Sequence, residues 1–140
     1  MKNARYVGII LFLLSCSVGK KSVKTPLRDS QTFRIEKIAT DKSYGFSPNN
    51  PVEVGGVDKQ EGPMNERRFL NALAGPNGEP VSYFRRGSCC PVKSKNGLMG
   101  VAMLDNYRVT WRGAKDTVSI YINMYDYGEL KAPVGFTIKD

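Results

Sequence analysis

The chain has 140 residues, a formal net charge of +8 and no histidine. Its length sets aside a multidomain enzyme, and the missing imidazole removes Ser-His-Asp and Cys-His catalysis together with most zinc and iron sites. The charge first suggests nucleic acid, but from Phe33 onward there are 15 basic and 12 acidic residues, so the body lacks the basic stripe that nucleic acid requires.

The amino terminus holds Lys2 and Arg5, then the apolar run Val7 to Leu14, then Ser15 and Cys16. The run is shorter than the ~20 apolar residues that span a bilayer, so it reads as a removable signal. Leu13-Leu14-Ser15-Cys16 resembles the lipobox of bacterial lipoproteins. That resemblance implies cleavage before Cys16 and acylation of its thiol, which anchors the chain to a membrane. Each buried methylene contributes ~0.8 kcal/mol, and more than one acyl chain holds stably. The competing readings are an ordinary secretory signal with a chance cysteine, and a cytosolic chain with an apolar start.

Lys20, Lys21, Lys24 and Arg28 follow, against Asp29 alone. A basic tether beside anionic headgroups gains about 1 kcal/mol per cation; a solvated linker is the plainer alternative. The organisation expected is a signal at 1–15, an acylated flexible tether at 16–31, and a single α+β domain at 32–140.

Thr32 to Ile38 alternates as a strand, with Phe33 and Ile35 on one side. Residues 43–62 form a loop punctuated by glycine and proline, with Pro51 to Val54 extended inside it. Pro63 to Leu73 is the predicted helix: Pro63 suits its first turn, Glu66 its positive end, and Phe69, Leu70 and Leu73 one buried face. Gly75-Pro76 stops it, and Asn77-Gly78 turns the chain. Pro80 to Arg86 reads as a strand and residues 87–100 as a long loop turning at Asn96-Gly97. Val101 to Trp111 and Thr117 to Tyr125 alternate as strands. The first places Met103, Tyr107, Val109 and Trp111 on one side; the second places Val118, Ile120, Ile122 and Met124 toward the core. Val134 to Ile138 is a last short strand. Strands joined by short turns around one main helix predict an α+β domain with a small antiparallel sheet or sandwich.

Cys89 and Cys90 are adjacent, between Gly87-Ser88 and Pro91. In an exported chain whose Cys16 is committed to lipid, these two can pair only with each other or with another molecule. The readings are a vicinal disulfide acting as a rigid turn, two packing thiols, or a redox or metal role. Metal is the weakest of these, because no third soft ligand exists. No cofactor and no metal is expected.

Two surfaces are candidates for recognition. Tyr121, Asn123, Tyr125, Asp126 and Glu129 gather phenols, an amide and carboxylates; a solvent-facing strand and turn is the plainer reading. Arg67, Arg68, Arg85 and Arg86 offer guanidinium forks to an anion, unless they pair with nearby glutamates.

Several motifs together resemble a small lipoprotein family of the Bacteroidetes. They are Tyr44-Gly45-Phe46-Ser47, the Asn50 to Gly56 run, NERRFLNAL at 65–73, GPNGEPVSY at 75–83, GSCCP at 87–91 and YINMYDYGELKAPVGF at 121–136. Members are sometimes labelled 2-dehydro-3-deoxyphosphooctonate aldolase. The enzyme of that name is similar to a (β/α)₈ barrel, which needs about 250 residues, far more than this chain supplies. Cell-surface lipoproteins of that phylum often carry acidic residues after the lipid cysteine. Here Ser17 to Lys21 carries none, so the resemblance implies the periplasmic face of the outer membrane, with the cell surface as alternative. The function expected is a non-enzymatic, lipid-anchored module that binds an envelope protein or polymer. A thiol-redox protein using Cys89 and Cys90 is the second reading, and a sugar-acid enzyme the third.

Overall fold

The computed structural model describes residues 24–140. The expected signal, Cys16 and the tether as far as residue 23 lie outside the described residues. Order begins ahead of Thr32: β1 (Leu27–Asp29) pairs antiparallel with β2 (Thr32–Phe33). Arg68 and Asn71 hold this stretch by donating to the Ser30 and Gln31 carbonyls, at 3.0 and 2.8 Å. The strand expected to reach Ile38 stops at Phe33. Phe33 and Ile35 are buried as their alternation predicts, whereas Ile38 is exposed.

β3 (Val52–Glu53) lies in the loop region and leads through a 3₁₀ turn (Val57–Lys59) to α1 (Gly62–Leu70). The helix is shorter than the predicted 63–73. Leu73, expected at its end, instead joins Ala74 in β4 (Leu73–Ala74), captured by antiparallel pairing with β8 (Thr137–Ile138). Between them run β5 (Val81–Leu98), β6 (Val101–Trp111) and β7 (Val118–Asn123). The central sheet has the order β3-β7-β6-β5. Its β5–β6 and β6–β7 pairs are antiparallel, and β3 joins β7 in parallel. This is a small α+β architecture with one main helix among the described residues.

The largest departure from expectation is at 87–100, where β5 continues as a strand to Leu98. Gly87, Pro91 and Gly97 read as loop punctuation, but the ladder absorbs them in irregularities at Arg85/Gly87, Cys89/Pro91 and Lys93/Leu98. The first two each take one extra residue, Arg86 and Cys90, without ending the pairing; at the third, residues 94–97 loop out with no β6 partner. The hairpin then turns at Met99-Gly100, both left-handed at φ 53° and 79°, not at Asn96-Gly97. Gly97 instead allows a close crossing, since a Cβ there would collide with the Val101 carbonyl.

The core forms where α1 covers one face of the sheet. Phe69 and Leu70 from the helix meet Tyr107 and Val109 of β6 and Ile120 and Ile122 of β7. Val118, Met124 and Trp111 pack at its margin. Met103 shares the phase of Tyr107 but is exposed: the β6–β7 ladder ends at Asp105, and beyond it the buried side of the strand is the one carrying Leu104 and Ala102. Phe69 is fully buried at the centre, so Phe69→Ala should cost about 3–5 kcal/mol, read as a fall in the urea midpoint at unchanged m-value.

Candidate functional site around a vicinal disulfide

Side chains alternate across a strand, so Tyr107 and Ile120 facing the helix send Asn106 and Tyr121 to the opposite face. Gly87, Asn106 and Tyr121 are opposite one another on three adjacent strands. A Cβ added at Gly87 would meet nothing within 4 Å, so the row leaves a hollow beside Tyr121. Arg86, Ser88, Cys89 and Cys90 complete its lining. Cys89 and Cys90 are joined as a vicinal disulfide, both half-buried. Cys90 is the bulged residue and is left-handed at φ 53°. Asn106 is 7% exposed, and its Oδ1 has no hydrogen-bond partner among the described residues. Such an orphaned acceptor is costly.

Under the same strands, the helix-facing side holds a polar chain that runs from exposed Arg85 and Ser88 to buried Asp105, Glu66 and Tyr107. Arg85 grips Asp105 through Nε and Nη2 at 2.7 and 2.9 Å, and Ser88 Oγ donates to the same carboxylate at 3.0 Å. Glu66 comes down from α1 fully buried and accepts from the Tyr107 hydroxyl at 2.9 Å. Burial, reinforced by the Asp105 charge, pushes the Glu66 carboxyl up to about 8. Burial also raises the Tyr107 phenol, with the neighbouring Glu66 adding to it. The carboxyl is therefore largely protonated at neutral pH, where an ionised one would be unaffordable in that position.

The sequence-predicted site residues separate into three places. Tyr121, Cys89, Cys90 and Arg86 converge on the hollow. Asn123 is buried and caps the end of β7: its Oδ1 accepts from the Tyr125 and Asp126 amides at 2.8 and 3.2 Å. Asp126 accepts from Asn123 Nδ2 at 2.7 Å, Ser94 Oγ at 2.7 Å and Asn96 Nδ2 at 2.9 Å, tying the β5 excursion to the β7 end. Tyr125 is half-buried beside this knot. Glu129 lies elsewhere, in ion pairs with Lys37 and Lys131 at 2.6 and 3.3 Å.

The arginines do not form one cluster. Arg68 is spent on Glu61, Asn65 and the Ser30 carbonyl, and Arg85 on Asp105. Arg67 and Arg86 are exposed. Sequence reasoning missed Asp105, Asn106 and the burial of Glu66. Asp105 carried a signal, a carboxylate in the same phase as Tyr107 and Val109. Asn106 carried none beyond its position opposite a glycine.

Comparison with protein-family models, curated proteins and solved structures finds no match. No group of three His, Cys, Asp or Glu residues suited to a metal occurs among the described residues.

Glu66 holds its proton to about pH 8 when folded and to about 4.5 when unfolded. The folded chain therefore binds more protons between those values, and stability falls as pH rises through that window. Glu66→Gln should flatten this slope and raise stability at pH 8 relative to the parent, by urea unfolding across pH 4 to 9. Asp126→Ala should leave Ser94 Oγ and the Asn amides without their shared acceptor. The expected result is faster hydrogen exchange at residues 94–98, with a loss of about 1–3 kcal/mol.

Proposed function

We propose that this chain is a lipid-anchored envelope protein, acylated at Cys16 and held on the periplasmic face of the outer membrane. Its body is a non-enzymatic module that takes an envelope protein or polymer at the hollow formed by Cys89, Cys90, Asn106, Tyr121 and Arg86. The observation carrying the reading is the vicinal disulfide beside an open polar hollow with an unpaired amide oxygen. A disulfide belongs to oxidising compartments, which agrees with the lipobox-like start of the sequence. A phenol, a guanidinium and an amide around a rigid floor are the groups that recognition surfaces favour. The likeness to small Bacteroidetes lipoproteins supports the same compartment. The aldolase label is not adopted, because a mixed sheet with one nine-residue helix supplies no barrel.

Metabolic labelling with radioactive palmitate tests the anchor: the parent chain should take up label, and Cys16→Ser should not. Label persisting in the variant overturns the anchor. A photo-crosslinking residue at Tyr121 should give adducts in intact cells, and the same residue at Lys115 should not. Equal adducts at both positions would remove the hollow as the binding site.

A second reading is thiol-disulfide exchange at Cys89 and Cys90, favoured by their half-exposure next to Arg86. It requires a low-pKa thiol after reduction. Alkylation of the reduced native protein over pH 4 to 9 separates the readings. Labelling already rapid below pH 7 supports exchange chemistry, and labelling that rises only near the ordinary thiol pKa of about 8.5 supports the binding module.

A further inference from the structure

The β5–β6 hairpin projects past the core and ends in a display of apolar side chains. Leu98 is 83% and Met99 94% exposed, with Val101 and Met103 at 42% and 41% behind them. Met99 occupies the left-handed first position of the turn at φ 53°, a conformation that disfavours bulky side chains. A large apolar residue held there in full exposure points to a surface role.

The display is built to hold its shape. Asp126 binds Ser94 and Asn96, and the Ser94 amide donates to the Gly100 carbonyl at 3.0 Å. Lys93 and Lys95 are exposed on the same stretch, and residues 92–104 contain no acidic side chain. The tip is thus apolar at its point, with Lys93 and Lys95 at its shoulders and the Asp126 carboxylate at its base, engaged by Ser94 and Asn96. That pairing matches the boundary of an anionic bilayer, where apolar groups enter the acyl region and lysines meet the headgroups.

The position of the first described residues agrees. Glu53 lies between two hollows: one is also lined by Lys24 and Tyr127, the other by Lys93 and Asp126. The described chain therefore starts at the end of the sheet from which the hairpin projects. Cys16 is eight residues before Lys24, a reach of about 28 Å at full extension.

We infer that the Leu98-Met99 tip, flanked by Lys93 and Lys95, docks on an anionic lipid surface as a second membrane contact beside the acylated terminus. This rests on the envelope anchoring proposed above. It makes the membrane fix the orientation of the body as well as its location.

The test uses the oxidised mature polypeptide, residues 16–140, with Cys16→Ser so that no acyl chain contributes; every core residue lies within 33–136. It is sedimented with phosphatidylethanolamine–phosphatidylglycerol vesicles and with phosphatidylcholine vesicles. The parent should associate with the anionic vesicles, more weakly at high salt and on phosphatidylcholine. Leu98→Ser/Met99→Ser, whose side chains lie outside the core, should partition about tenfold less at an unchanged unfolding midpoint. Equal partitioning of parent and variant overturns the inference. So does a lipid-free dimer that the variant dissolves, which would assign the tip to a second copy of the chain. Because this polypeptide carries no lipid, its result is independent of palmitate labelling, so loss of the anchor and loss of the tip contact are told apart.

Discussion

The ladder between Val81–Leu98 and Val101–Trp111 outruns the core that it helps to build. Over its inner half, β7 and α1 cover it, and Tyr107 and Val109 are sealed against Phe69 and Ile120. Over its outer half no third strand pairs with it beyond Asp105, and the alternation sends Met103 and Val101 outward while Leu104 and Ala102 are buried on the other side. The hollow, the disulfide and the apolar tip all belong to this hairpin, at positions set by its register.

A second constraint lies where the helix meets that ladder. Glu66 and Asp105 are two carboxyls in one buried region with different partners. Asp105 accepts from the Arg85 fork and from Ser88. Glu66 accepts from a phenol, and burial with the neighbouring Asp105 charge raises its pKa. Arg85 and Ser88 sit on β5 immediately before the cysteine pair, so the polar chain also positions the strand that carries the disulfide. One face of the sheet thereby steadies the chemistry displayed on the other.

Much of the architecture was legible in the chain. The alternation of 101–111 and 117–125 identified two central strands and most of their core positions. The Pro63 start and the Phe69-Leu70 pair identified the helix. What escaped was decided by pairing between distant segments. Leu73-Ala74 looks helical until Thr137-Ile138 offers it a ladder. Residues 87–98 look like a loop because glycine and proline disfavour strands locally, yet β6 pairs with the stretch as far as Lys93, bulges at Arg86 and Cys90 absorb the misfits, and 94–97 loop out before Leu98. The candidate site residues followed the same pattern. Tyr121 and the cysteines stand out as residue types, and the structure brings them together. Asn123, Asp126 and Glu129 stand out equally, but the first two hold the end of β7 and the third is in ion pairs with Lys37 and Lys131. Composition cannot separate a polar side chain that meets a ligand from one that meets the backbone of its own loop.

The irregular outer strand has one more consequence. β5 is the last strand of its sheet, and an uninterrupted edge of eighteen residues would invite another chain to add itself by hydrogen bonding. The breaks in register at Arg86 and Cys90, the missing amide hydrogen of Pro91 and the charges of Lys93 and Lys95 spoil that template along its length. The disulfide closes one of those breaks covalently. The chain is thus protected against sheet-to-sheet polymerisation by the irregularities that hid the strand from its sequence.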